Sequence, residues 1–411
     1  MSTASHAWRR SLLPAGPGAD VGGFTLVVAD LHNHSLHSDG TGDPERAFAQ
    51  MRAAGLDVAA LTDHSSIPRA DLAGLGLHHY PDEAAVRLGR LAPRSFDDTA
   101  WKRTGELADE HDVPGEFTAI RGFEWTEPWL GHVNVWFSDE YLTVTTPGSL
   151  HGLQEWLVDR APDALFGYNH PGREPGRLAE FAVPHSPADG EGPGRDRLAG
   201  RMVALEAYNR AEDFLFGGYA EGRRSPLVDC LDAGWRPGLI GCSDEHGRSY
   251  GLAGKGRTGL WVREHSRAGV REALLARRSF ATREVGLRLD ATLDGVRMGG
   301  PLPGDGPATL AVDLGGERYA GARVELQLMV SGTAGWDGTG GEVAVVHRSP
   351  AVVGEVTHAT VEVPDGARWA VLRVADTSRR YGGAAPAGHP CDSWGVAYTS
   401  PWFTQGPLPS P

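Results

Sequence analysis

The sequence predicts an α/β domain of barrel size followed by a smaller antiparallel β-sandwich. Three observations carry that prediction. Short apolar runs alternate with amphipathic segments as far as about Arg283, and the apolar runs end in histidines or carboxylates. The first two runs, Phe24 to Ala29 and Val58 to Leu61, bracket a helical segment and form a βαβ unit with histidine beyond each strand. After Arg283 helical periodicity stops, and alternating segments such as GLRLDATLDG, ARVELQLMVSG and ARWAVLRVAD follow, each bounded by Gly, Pro or Asp.

The elements follow in order. Residues 1–23 read as a disordered tail. In DPERAFAQMRAA, Asp43 caps a helix, Pro44 fits its first turn and Gly55 ends it. Pro68 to Arg94 reads as an irregular insertion over the mouth of the domain. Helices are expected over Asp97 to His111, Leu150 to Arg160, Pro226 to Ala233 and Arg267 to Arg278. Strands are expected over Phe117 to Gly122, His132 to Phe137, Ala164 to Tyr168, Met202 to Ala207, Pro237 to Cys242 and Gly259 to Val262. Pro184 to Arg197 is Pro/Gly/Asp-rich and reads as a surface loop. The expected organisation is an α/β domain over 24–283, a β-sandwich over 284–404 and a tail over 405–411.

Composition limits the function classes. The net charge of -14 over 411 residues argues against a nucleic-acid polymer as partner. A small anionic substrate stays open, because local arginines and cations can reverse the sign inside a pocket. Cys230, Cys242 and Cys391 are too few and too scattered for a disulfide framework or a thiolate metal site, and suit a reducing cytoplasm. No stretch reaches the roughly 18 apolar residues of a membrane span. Nothing in the pattern sets an oligomeric state.

The densest stretch is Asp30 to Gly40, DLHNHSLHSDG. If the first strand persists to His34, His32 and His34 share a face, and the chain beyond can curl Asp39 back toward them. Further signals follow later apolar runs: Thr62-Asp63-His64, Glu124 with His132, Asn169-His170, Glu206 with Asn209, and Asp244 with His246. Imidazoles and carboxylates without sulfur suit Zn, Mn or Fe(II). Asp30, Asp63 and Asn169 adjoin these positions and are candidates to accept the second imidazole N–H. Arg173 and Arg257 each follow one of the motifs. Arg257, with Lys255 beside it, is the first choice for gripping an anionic group. Arg210 and Arg248 are further candidates, and Trp125, Trp129 and Trp136 cluster in sequence around Glu124 as candidates to stack on an aromatic or nucleoside substrate, with core packing the favoured reading for Trp136.

Through these motifs, residues 24 to about 283 resemble the PHP (polymerase and histidinol phosphatase) superfamily. GFEWT paired with GHVNVW, the LEAYN segment and a β-domain ending in AYTSPWF extend the likeness to its carbaryl-hydrolase-like branch. The resemblance implies a distorted seven-stranded (β/α) barrel with two or three divalent metal ions at the strand ends. One metal would take His32, His34, Glu124 and Asp244. A second would share Glu124 and take His170 and His132. A third would take Asp39, His64 and His246. His37 is extra to the motif. The implied activity is hydrolysis of a small phosphate ester by a hydroxide between metals, with Glu124, Asp244, His246 and Arg257 as the catalytic residues. Carbamate or carboxyl-ester hydrolysis at the same centre is the alternative, and a non-catalytic binding protein is the third reading.

Overall fold

A computed structural model describes residues 7–14, 23–66, 95–127, 130–144, 149–173, 195–215, 225–316, 319–331, 343–380 and 393–404. The expectations for residues 68–94, 184–194 and 405–411, and those for Trp129 and Cys391, lie outside them.

The first strand, β1 (Thr25–Asp30), runs parallel to β2 (Val58–Leu61), with α1 (Pro44–Ala53) between them. Asp43 caps α1 by accepting the Glu45 N–H, and Ala47, Phe48 and Met51 form its buried stripe. A two-residue strand, β3 (His64–Ser65), follows. Asp97 caps α2 (Asp98–His111), which packs with α1 on one face of β2. The next strand, β4 (Thr118–Glu127), is longer than expected and carries Glu124 inside it rather than beyond its end. It is followed by β5 (Gly131–Trp136), α3 (His151–Asp159), β6 (Leu165–Tyr168), α4 (Arg195–Ala199) and β7 (Met202–Asn209). Then come β8 (Glu212–Asp213), α5 (Pro226–Asp232), β9 (Gly238–Cys242), β10 (Arg257–Val262), α6 (Arg267–Leu275) and β11 (Ser279–Thr282).

The strands form one mixed sheet. β1, β2 and β4 are parallel, and so are β6, β7 and β9. β5 pairs antiparallel to both β4 and β6, and β10 pairs antiparallel to β1. The uniform β/α alternation implied by the resemblance is therefore broken, because the β4–β5 connection is too short for a crossover helix. Among the described residues no ladder joins β9 to β10. The Thr258 hydroxyl bridges them instead, donating to the Gly241 carbonyl at 2.8 Å and accepting the Gly241 N–H at 3.2 Å. The enclosed core draws on nearly every strand: Val27 and Ala29, Val58 and Ala60, Ile120, Trp136, Leu165, Val203, Ile240 and Leu260.

Beyond β11 the same sheet continues through β19 (Ser393–Thr399), β18 (Trp369–Arg380), β15 (Arg323–Ser331) and β16 (Val343–Val352). A second, antiparallel sheet of four strands faces it. It comprises β12 (Leu287–Leu293), β13 (Val296–Arg297), β14 (Gly306–Gly316) and β17 (Glu355–Val363). A short β20 (Trp402–Phe403) pairs with β18. Leu289, Leu310 and Val312 of the small sheet pack against Leu326, Leu372 and Val374 of the large one, which is a sandwich core. The large sheet thus crosses residue 283 without a break.

Part of the segment read as a tail has a defined place. Arg10 bridges to Thr25, the Ser11 hydroxyl bonds Asp290, the Leu12 N–H donates to Asp313 at 2.8 Å, and Leu13 is buried. The sequence conceals this, because the partners are carboxylates of the distant β12 and β14.

Candidate metal centre

The strand β1 stops at Asp30, short of the extended run to His34 considered above. Backbone bonds hold the continuation in place. Asp244 N–H donates to His32 O at 3.0 Å, His34 N–H to Glu245 O at 2.9 Å, and Thr62 N–H to Asn33 O at 2.8 Å. The segments after β1, β2 and β9 are thereby stitched together. The Asp63 carboxylate accepts from the N–H and hydroxyl of both Ser35 and Ser38, at 2.6–3.1 Å. That fixes the turn leading to Asp39.

Side-chain nitrogens and oxygens converge on this frame. Period-two alternation on β4 puts Glu124 on the same inward face as Ile120. His32 Nε2 and His34 Nε2 lie 3.0 Å apart, and Glu124 is 3.2 and 3.5 Å from them, respectively. Asp244 Oδ1 is 3.6 Å from His32 Nε2 and 3.3 Å from His34 Nε2. On the outer side, His64 Nε2, His246 Nε2 and Asp39 Oδ1 lie 3.3–3.4 Å from one another. Glu124 Oε1 is also 3.1 Å from His132 Nδ1 and 3.3 Å from His170 Nε2, and Glu124 Oε2 is 2.7 Å from His64 Nδ1.

Three donor groups result, each with ligand atoms mutually within 4.8 Å: His32, His34 and Asp244; His34, Asp39, His64 and His246; and His64, Glu124 and His132. All nine residues named from the motifs are brought together. Two details differ from the implied sets. His64 and His34 each belong to two groups, and His170, which approaches Glu124 and packs edge-on against His132, falls in none of the three. Asp244 and His170 both have positive φ, 48° and 26°, so two of these side chains sit on strained backbone.

This donor set fits divalent cations. The Nε2 atoms of His32 and His34 at 3.0 Å, and of His64 and His246 at 3.4 Å, stand at the separation of two ligands around one cation. Among the described residues, buried His34 Nδ1 and both amide atoms of Asn134, opposite Glu124 on β5, have no hydrogen-bond partner, and Glu124 Oε2 has only its close approaches to His64 and His34. Burial, reinforced by the charges of His64 and His246, holds the His34 pKa well below its usual range, which keeps it neutral as a ligand must be. Burial works against the charges of Glu124 and Asp244. The surrounding histidines, His32 foremost, outweigh it and hold both carboxyls well below the usual range.

The arginines divide. Arg173 NH1 and Arg210 NH2 reach Asp244 Oδ2 at 3.1 and 3.2 Å, and Arg210 also approaches His246 Nδ1 at 3.3 Å. Both stand beside the donor cluster, Arg210 with about half its side chain exposed (47%). Arg257 does not join them. It is 4% exposed on β10 and bonds the Gly251 carbonyl. Lys255 is paired with Glu245, whose side chain bonds its own loop at Gly247 N–H. Arg248 donates to Thr41 O.

Residues 50–192 match the family model described as "Protein of unknown function (DUF3604)". No curated protein matches the chain. Among solved structures, the chain is similar to a two-domain protein containing a predicted PHP-like metal-dependent phosphoesterase from Bacteroides vulgatus. Identity is 17%, with 96% of this chain and 99% of that one covered and a TM-score of 0.43. A Bifidobacterium adolescentis protein assigned as a metal-dependent phosphoesterase gives 14% identity, 60% and 95% coverage and a TM-score of 0.32. Histidinol phosphate phosphatase from Lactococcus lactis, complexed with zinc, L-histidinol and phosphate, gives 14%, 53%, 86% and 0.24.

Against the expectation of a substrate contact, Trp125 alternates with Glu124, so its ring points to the outer face of β4 and is buried among Phe123, Val133 and Val135, away from the donor cluster. Trp136 is core, its Nε1 donating to Leu31 O. His37 bonds Thr104 outside the cluster. Of the three groups proposed to accept imidazole N–H, none does so in the hydrogen bonds formed here. Asp30 accepts the backbone N–H groups of Ser243 and His32, and burial raises its pKa to about 6. Asp63 holds the Ser35–Ser38 turn, and the Asn169 amide donates to Glu124 at 2.7 Å. The ring partners are instead Glu206 for His32 and Thr126 for His64, both at 2.8 Å. Thr126 was legible in principle, two residues past Glu124 on the same strand face.

Proposed function

We propose that the chain is a metal-dependent hydrolase acting on a small phosphate ester. One observation carries the reading: two guanidinium groups, Arg173 and Arg210, converge on the rim of a buried His/carboxylate cluster. His32, His34, Glu124 and Asp244 would hold one ion, His64, Asp39 and His246 another, with Glu124, His132 and His170 as a third set. Two or three divalent ions of Zn, Mn or Fe suit these donors. When bound, such ions polarise a phosphoryl oxygen and lower the pKa of water. Within the chain, Glu124 presents both oxygens to different histidines, so it spans the cluster rather than serving one corner. Asp244 ties the cluster to the arginines. Arg210 is exposed enough to turn from Asp244 toward an anionic oxygen, and Arg173 is braced by Asn209 Oδ1 at 2.8 Å.

The test is a metal screen with nitrophenyl phosphate, run in parallel with nitrophenyl acetate and a naphthyl carbamate. Turnover of the phosphate ester with Zn, Mn or Fe supports the reading. Turnover of the acetate or carbamate alone replaces it with carboxyl-ester or carbamate hydrolysis. Arg210→Ala is expected to raise KM for the phosphate ester by about 10- to 100-fold, matching the loss of a charged hydrogen bond of roughly 1.5–3 kcal/mol.

A further inference from the structure

One buried carboxylate beside the cluster belongs to none of its donor groups. Glu206 lies on β7 and is fully buried. Its Oε1 is 2.8 Å from His32 Nδ1. Its Oε2 accepts the backbone N–H of His170 at 2.7 Å and the side-chain amide of Asn209 at 2.8 Å. Asn209 Oδ1 in turn accepts from Arg173, which reaches Asp244. A buried carboxylate is costly to desolvate unless it is fully bonded. The bonds named for Glu206 lead to two donor residues and, through Asn209, to the arginine at the rim.

We propose that Glu206 is a positioning residue: it accepts the hydrogen bond from His32 Nδ1–H, leaves the Nε2 lone pair facing His34, Glu124 and Asp244, and holds the His170 backbone in the same frame. This rests on the metal-centre reading above. The physical step is the tautomer. A neutral imidazole has one N–H and one lone pair, so fixing the proton on Nδ1 decides which nitrogen can bind a cation. The same carboxylate accepts the backbone N–H of His170, whose φ of 26° is one that few non-glycine residues adopt. The sheet sets two donor segments, after β1 and after β6, and Glu206 ties them together. A glutamine fails in either orientation. With its oxygen toward His32, its amide N–H groups face the His170 N–H and the Asn209 amide. With its oxygen toward those two, its N–H faces His32 Nδ1 and favours the other tautomer.

The experiment uses the full chain and Zn²⁺ alone, with no substrate. Zn²⁺ stoichiometry and affinity are measured by calorimetry for the wild type and Glu206→Gln, beside the melting temperature of each metal-free protein. The expected result is a variant that melts within a few degrees of wild type yet loses about 10- to 100-fold in affinity at one site. Unchanged affinity at every site overturns the proposal. In case the variant does not fold, ¹⁵N-histidine-labelled wild type is examined with Zn²⁺ bound, His32 being identified by the signal lost in His32→Gln. A proton on Nδ1 with zinc at Nε2 supports the proposal, and the reverse arrangement overturns it. Wild type that takes up no Zn²⁺ overturns the metal-centre reading and this proposal together. Wild type that binds Zn²⁺ but hydrolyses no phosphate ester overturns only the proposed reaction.

Discussion

Arg257 and Arg210 are the same residue type with opposite placements, and their substitutions separate binding from stability. Arg257 is buried against the Gly251 carbonyl, with its charge near Asp30. Arg257→Ala leaves a carbonyl unbonded and a buried carboxyl without its neighbouring cation. The expected cost is about 1–3 kcal/mol of stability, read as a lower urea midpoint, with KM unaltered in the protein that stays folded. Arg210→Ala is expected to do the reverse. A rise in KM without loss of stability in Arg257→Ala would return that residue to the site. The sequence pointed to Arg257 because it follows Asp244 and His246 in a glycine-bounded loop. Its side chain's direction depends on strand parity, and the strand begins two residues earlier than the apolar run indicates. For Glu124 and the histidines the outcome was different, because residue type and placement after an apolar run restrict their chemistry. Glu206 fell between these cases: its position was visible, but its partners come from two distant segments.

At the scale of elements, β9 and β10 meet through the Thr258 hydroxyl and a glycine that carries no side chain. A Cβ on Gly241 would lie 2.6 Å from the Arg257 carbonyl oxygen and 2.8 Å from its nitrogen. Gly241→Ala must push β9 from β10 and stretch both Thr258 bonds, at an expected cost of about 1–3 kcal/mol, measured by urea unfolding. An unchanged midpoint would mean that the strands tolerate the separation. The same scale explains what the sequence concealed. Helix caps at Asp43 and Asp97 are local and were legible, whereas antiparallel β5 and β10 are set by pairing partners far along the chain. The contact of residues 7–14 with β12 and β14 is equally non-local, and it carries a pH signature. Burial raises the Asp290 carboxyl from its ordinary 3.8 to about 6, against the pull of Arg297 and Ser11. Between those values the folded protein holds a proton that the unfolded chain has lost, so this group's contribution to stability falls as pH rises from about 4 to 6. Asp290→Asn removes that slope. Chemical unfolding at pH 4, 5 and 6 is expected to show a smaller decline across this window in the variant than in wild type, and identical profiles would discount the group.

For the whole molecule, one consequence of the continuous sheet is cooperative unfolding. The change of texture at Arg283 reads as a domain boundary, yet β11 pairs with β19 through Phe280, Ala281 and Thr282. Leu26, Trp261 and Phe280 share one apolar cluster with Leu289, Leu326 and Leu372. A buried polar link crosses the same place. The Tyr398 hydroxyl donates to Asp213 and accepts from Arg373 Nε, both at 3.0 Å, while Arg373 NH1 donates to Gln327 at 2.8 Å. Asp213 and Arg373 are both fully enclosed. Separating the two parts would break the Tyr398–Asp213 bond and open this enclosed polar link. The same separation would expose the apolar cluster and leave β11 as a bare sheet edge. Calorimetry of the full chain is therefore expected to show a single transition, with calorimetric and van't Hoff enthalpies in agreement. A fragment ending at residue 283 is expected to lose the near-ultraviolet dichroism of its packed tryptophans, Trp136, Trp235 and Trp261 among them. Two resolved transitions, or a fragment that keeps native dichroism and a sharp melt, would show that the sandwich is an independent appendage.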